Sequence, residues 1–301
     1  MSGNSSYMVL GSFVGDSLAL GVHWIYDQER IAALGRLDGL KAPPPGSHHT
    51  AKQAGDFTHY GDQTLVLLAS LAEKGVFDPA DFSTRWRALF SGGSTIYADR
   101  ATKNTLSQLA AGWEPADAGS ASDELAGASR IAPLVHSLRS DVEAMVQACR
   151  AQTGLTHNNA KIMDSAEFFA RTAHAALSGV APTEGMAKAL EGRFPGSPLH
   201  GWFKDAQAAA GEDSVKAVAR FGQSCHVDGA FQSTVQLISR GQDSPAEALV
   251  DSAMAGGDSA ARNMLVGMVL CAWKGEGALP QGWIDGMRKK GEIEALLSRI
   301  G

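Results

Sequence analysis

Cysteine is scarce: the three present, Cys149, Cys225 and Cys271, stand far apart with no Cys-x-x-Cys pair. That excludes a zinc knuckle, a dithiol redox motif and a disulfide scaffold. Basic runs are missing as well. The longest is Arg288-Lys289-Lys290, and 26 Lys and Arg against 32 Asp and Glu leave a net charge of −6, so no footprint for duplex nucleic acid exists. The longest strongly apolar stretch, Met264 to Trp273, is only half of what a bilayer span needs. The opening MSGNSSYMVLGSFVGD has no basic region and meets Asp16 early, which makes it a poor signal peptide. Nine His contain no i, i+4 pair of the kind that binds transition metals from a helix. These absences predict a cytoplasmic protein without membrane or duplex nucleic-acid partners.

Strand signals are also few, since no run of β-branched residues alternates over more than four positions. What is abundant is helix. Thr64 to Lys74, Ala166 to Leu177, Ser244 to Ala255 and Asp258 to Lys274 carry apolar residues at helical spacing. Asp62 is placed to cap the first and Gly75 to stop it. Ser244-Pro245-Ala246-Glu247 reads as a capping box, and Asp258 to Lys274 is apolar nearly all round, as a central helix is. Further helices are expected near 6–21, 80–90, 101–110, 121–150, 183–192, 198–210, 213–222, 228–240 and 289–299. The 301 residues, 44% of them apolar, suffice for one large core. The expected fold class is all-α, a single compact multi-helix domain over residues 1–301. One long loop, Lys41 to Asp56, is set by Pro43, Pro44 and Pro45.

Three Gly-Asp steps stand out: Gly15-Asp16, Gly61-Asp62 and Gly257-Asp258. Asp62 and Asp258 at helix starts read either as caps or as ligands of a hard cation, joined by the hydroxyls of Thr64 and Ser259. Asp16, in an apolar stretch, reads as a hydrogen-bond hub or a pocket-floor carboxylate. Trp24 and Tyr26 read as core aromatics or as a stacking platform for a base or sugar.

In order along the chain these pieces resemble the ADP-ribosylglycohydrolase family, all-α Mg²⁺-dependent hydrolases that remove ADP-ribose from conjugates. Gly15-Asp16-Ser17-Leu18 is similar to its Gly-Asp-Ala-Leu motif, and Tyr60-Gly61-Asp62-Gln63-Thr64 to its Thr-Asp-Asp-Thr. Asp99 to Thr102 falls where an Asp precedes a turn. Gly127-Ala128-Ser129-Arg130-Ile131-Ala132-Pro133 resembles its Gly-Ser-Ala-Met-Arg-Val-Ala-Pro, Thr156-His157 its Thr-His pair, and Gly256-Gly257-Asp258-Ser259 the start of Gly-Gly-Asp-Thr-Asp-Thr. The segments Gly21 to Asp27 and His59 to Thr64 are similar to the branch that includes the J1 crystallins.

The departures bear on function. Gln63 stands where the second Asp is expected, Ala260 and Ala261 replace the last Asp and Thr, and His23 falls near the family Glu. The resemblance then implies a partly degenerate metal site: one weakly held Mg²⁺ on Asp62, Thr64, Asp258 and Ser259, or no ion, with Arg262 an alternative counter-charge. It implies a hydrolase acting on an ADP-ribosyl or related ribosyl conjugate, with Asp62, Asp99 and Asp16 as catalytic candidates, Asp27 behind them, and Gly127, Ser129, Arg130, His157 and His23 toward the substrate. The alternatives are a non-catalytic ADP-ribose binder or crystallin-like structural protein, and a metal-independent hydrolase using His23 as acid or base. The expected state is monomer or homodimer.

Overall fold

Two long helices run antiparallel through the centre of the molecule and touch through glycine. In the computed structural model, which describes residues 3–300, these are α1 (Gly3–Ala19) and α14 (Ser259–Lys274). A β-carbon on Gly11 would lie 2.7 Å from the carbonyl oxygen of Gly267, and one on Gly267 only 2.2 Å from that of Gly11. No larger residue permits this approach, so the sequence fixes the axis separation here. Near the other end of the contact, Asn263 Nδ2 donates to the carbonyls of Gly15 and Leu249, both at 3.2 Å. The chain leaving α1 is thereby delivered to the N-terminus of α14.

Around this pair stand α2 (Gln28–Ala33), α3 (His59–Lys74), α4 (Pro79–Leu89), α5 (Arg100–Ala110), α6 (Ala132–Ser137), α7 (Val142–Gly154) and α8 (Ala160–Leu177). They are followed by α9 (Pro182–Leu190), α10 (Leu199–Ala208), α11 (Ser214–Phe221), α12 (Val227–Gly241), α13 (Pro245–Met254), α15 (Gln281–Gly286) and α16 (Lys290–Leu297). The all-α expectation holds: among the described residues the β-type contacts are two isolated bridges, Ser120 with His157 and Glu124 with His226. A continuous apolar core joins α1 and α14 to α8 and α12, where Phe168, Phe169 and Phe231 pack with centroids 4.9–5.4 Å apart. No helix of the described residues is long and apolar enough to cross a membrane.

Several expected boundaries moved for identifiable reasons. The third helix starts at His59, because Thr58 is its cap and accepts from Tyr60 N at 3.2 Å; Asp62 sits inside the first turn. Gly75 ends it in the left-handed region, as expected (φ 74°). The stretch 121–150 breaks into a 3₁₀ turn (Leu125–Ala128), α6 and α7, since Pro133 starts one helix and Asp141 caps the next through Ala144 N. The capping box at Ser244 does not form; the Glu247 carboxylate is taken by Arg36. The six-residue α2 and α15 were not anticipated, being too short to show a period.

Candidate active site

The candidate site is a largely buried cluster where the N-termini of α3, α5 and α14 meet the chain leaving α1 and the loop 41–56. Gly256 and Gly257 bring the chain into α14, both in the left-handed region (φ 73° and 66°). A β-carbon on Gly257 would stand 1.9 Å from the Gln223 carbonyl. The turn is clasped by Trp24 N to Gly257 O and Gly257 N to Ile25 O, each 2.8 Å. Trp24 itself is held at φ 63°, a costly conformation for a bulky residue.

Asp258 therefore reaches the N-cap position, yet its carboxylate makes no capping bond. It accepts from the phenol of Tyr60 at 3.2 Å through Oδ2. Its Oδ1 faces His23 Nδ1 at 3.8 Å and has no hydrogen-bond partner among the described residues. His23 Nδ1 already accepts from Ala260 N at 3.4 Å, so two lone pairs face each other unless Asp258 carries a proton. Burial raises the Asp258 carboxyl to about 6 and holds His23 well below its ordinary value, in the neutral form.

A second line of groups runs along the start of α3. Asp16, wholly buried, accepts from both N (2.7 Å) and Oγ1 (2.5 Å) of Thr58, and burial lifts it to about 6. His59 Nε2 lies 3.1 Å from Asp99 Oδ2, and His59 Nδ1 lies 3.2 Å from His49 Nε2. The backbone N–H of His59 also points at His49 Nε2 (3.4 Å), so that nitrogen is the acceptor and the shared proton belongs to His59. Burial pushes His49 down to about 3. Burial works against Asp99 too, but the hydrogen bond and charge of His59 outweigh it and hold the carboxyl far below its usual range. Asp99 also caps α5 through Thr102 N at 2.6 Å. Asp62 is engaged from the long loop: Lys52 Nζ lies 2.5 Å from its Oδ2.

On the far wall, Glu124 Oε2 stands 3.7 Å from His157 Nε2, with Cys225 Sγ 3.6 Å from Oε1. Burial raises Glu124, but His157 prevails and keeps it below its ordinary value. The rings of Trp24, His48, His49, His59 and Tyr97 pack over this floor, with Trp24–Tyr97 centroids 5.2 Å apart. Trp24 and Tyr97 are half-buried, so the cluster meets solvent at these two rings.

Of the residues singled out in the sequence, Asp16, His23, Asp62, Asp99, His157 and Asp258 come together here. Others do not reach the cluster. Thr64 donates to Tyr60 O within its own helix (2.8 Å), and Ser129 to Ala126 O (2.8 Å). Arg130 is buried and bonds Thr156 and Ala126 O, while a β-carbon on Gly127 would press on His157. Ser259 is fully buried with its hydroxyl unpartnered among the described residues. Asp27 is exposed and caps α2. Arg262 does not pair with Asp258; its guanidinium holds Ser252 Oγ, Ser252 O and Gly256 O at 2.8–3.1 Å. Lys52, His49, His59, Tyr60, Tyr97, Glu124 and Cys225 were missed. The adjacent His48-His49 in the one long loop was a usable signal; Glu124 offered none.

The donor set does not fit a divalent ion. Mg²⁺ asks for six oxygens, and here an ammonium occupies Asp62, Gln63 Oε1 is spent on Trp86 Nε1 (2.7 Å), Thr64 is turned inward, and Ala260 and Ala261 bring methyl groups. No group of three or more His, Cys, Asp or Glu among the described residues is arranged to hold a metal.

This helical shell has known relatives. A profile of the ADP-ribosylglycohydrolase family matches residues 7–301, and the chain belongs to that family. It is 27% identical to crystallin J1B of Tripedalia cystophora over 97% of this chain and 94% of that one. It is 26% identical to crystallin J1A of the same organism, over 95% and 92%. A solved ADP-ribosylglycohydrolase-related protein complex has the same fold, with TM-score 0.72 and 22% identity over 99% of this chain and 97% of that one.

Proposed function

We propose that the chain hydrolyses a glycosidic bond of a ribosyl conjugate, an ADP-ribosyl group on nitrogen or oxygen being the substrate class its family implies, and does so with its own side chains. The feature that supports this is a pair of largely buried carboxyls with opposite tendencies, Asp258 beside His23 and Tyr60, and Glu124 beside His157. One carboxyl is raised to about 6 and the other is held low, which is how one site provides an acid and a base together. Asp258 donates its proton to the leaving atom as the bond to C1′ breaks. Glu124 takes a proton from the attacking water. The cationic, oxocarbenium-like ribose is stabilised by the negative charge of Glu124. Trp24 and Tyr97 offer ring faces to the sugar or base.

A panel of ADP-ribose joined to guanidine, hydroxyl and acyl oxygen, with EDTA present, tests this by chromatographic release of ADP-ribose. Release from one linkage, reduced on the order of 10²-fold or more in Asp258→Asn, is expected. No release from any linkage, with or without Mg²⁺, rejects the reading.

A second reading rests on the rings of Trp24, His48, His49 and Tyr97 packing against one another over the carboxylates, and on the two crystallins among the relatives. It makes the chain a binder or structural protein on the same scaffold. A rise in melting temperature with ADP-ribose but no turnover favours the binder; no response to any ligand favours the structural role.

A further inference from the structure

The loop 41–56 does more than border the cluster. It is pinned at Lys52 N to His49 O (2.9 Å), at Gln53 N to Asp56 Oδ2 (2.8 Å), and at Arg288 N to Gly55 O (2.9 Å). Asp56 also pairs with Arg288 at 3.3 Å. Lys52 thus projects from a braced turn, and its side chain and that of Asp62 are only 17% and 15% exposed. A mobile surface lysine contributes little to a pair, but this one is positioned and partly desolvated, with Nζ 2.5 Å from Asp62 Oδ2. The neighbouring oxygens that a divalent ion would need are turned elsewhere, as Gln63 and Thr64 show.

We propose that Lys52 is a resident counter-cation: its ammonium, carried in by the 41–56 loop, balances Asp62 in place of a divalent metal, and the same contact ties the loop to α3. A metal ion then has no charge left to satisfy at Asp62 and must displace a covalently tethered competitor.

The test uses the full chain and reads binding and melting, so it stands apart from whether any ribosyl conjugate is cleaved. Mn²⁺ alone is titrated and followed by electron paramagnetic resonance. Wild type is expected to bind no stoichiometric Mn²⁺ at millimolar concentration, and its melting temperature is expected to be unmoved by Mn²⁺ or EDTA. Lys52→Met leaves Asp62 uncompensated and lowers the melting temperature by roughly 2–4 °C. The double variant Lys52→Met/Asp62→Asn recovers most of that loss, and Lys52→Arg melts as wild type. Lys52→Gln repeats the cycle should Lys52→Met fail to fold. Stoichiometric Mn²⁺ bound by wild type and lost in Asp62→Asn overturns the proposal. So does a Lys52→Met protein as stable as wild type, or a double variant with no recovery.

Discussion

The phenol of Tyr60 donates to Asp258 across 3.2 Å, joining the first turn of α3 to the start of α14 over 198 positions of sequence. It leaves the second Asp258 oxygen facing a neutral imidazole. Burial governs both groups, raising the carboxyl and suppressing the imidazolium.

From this follows a pH-dependent effect of Asp258→Asn. The folded carboxyl titrates near 6 against an ordinary 3.8, so between those values the native state holds a proton that the unfolded chain has released. The contribution of Asp258 to stability is full below about 4 and is lost as pH rises through 6. Asparagine has no such loss. Relative to wild type, the variant is expected to gain on the order of 3 kcal/mol between pH 4 and pH 8. Urea melts at both pH values check this; a difference independent of pH refutes it.

His49 works in the opposite direction. Its folded value is depressed to about 3 from 6.5, so in that window the unfolded chain takes up the extra proton. Its contribution is present above 6.5 and is lost as pH falls toward 3. His49→Asn should flatten the acid limb of the stability curve, improving relative to wild type by on the order of 3 kcal/mol from pH 7 to pH 4. Denaturation across that range reads it directly.

The cluster was half legible in the sequence because its carboxylates sit on motifs while its other groups do not. Asp16, Asp62 and Asp258 each follow a glycine, and glycine marks where backbone must approach closely; Gly257 against Gln223 is the plainest case. The helical period places the C-terminal parts of α3 and α8, whose starts at His59 and Ala160 lie five and six residues earlier than expected, and the long apolar run places α14. Lys52 and His49 lie in a loop whose prolines exclude helix but say nothing about direction. Glu124 is delivered by a 3₁₀ turn and one bridge to His226, a tertiary arrangement with no local signature. Arg262 shows the converse failure: helical spacing put it one turn from Asp258, but the nearer carbonyls of Ser252 and Gly256 took its donors.

Gly257→Ala should be far more damaging than Gly277→Ala, although both glycines have positive φ (66° and 82°). At Gly277 the added methyl meets nothing within 4 Å, so only the backbone strain of about 1 kcal/mol applies. At Gly257 the methyl falls 1.9 Å from the Gln223 carbonyl and breaks the turn that aims Asp258. A loss of roughly 3 kcal/mol or more is expected there, read as a lower melting temperature. Equal losses at the two sites would show that the turn is not tightly packed.

Turnover should separate residues of the cluster from those beneath it. Ser129 is wholly buried and spends its hydroxyl on Ala126 O, so Ser129→Ala should alter melting slightly and leave kcat/KM unchanged. Glu124 keeps an ionised carboxylate beside His157 at the wall. Glu124→Gln preserves its shape but removes the base, and should lower kcat by roughly 10²–10⁴-fold. KM should stay near wild type, because the lost interaction belongs to the transition state rather than to substrate binding. Added Mg²⁺ should not restore the rate, since Lys52 still occupies Asp62. Steady-state kinetics on the substrate identified in the linkage panel decides the matter: a Glu124→Gln enzyme with wild-type kcat would move the base to another carboxylate, with Asp99, 3.1 Å from His59 Nε2, next in line.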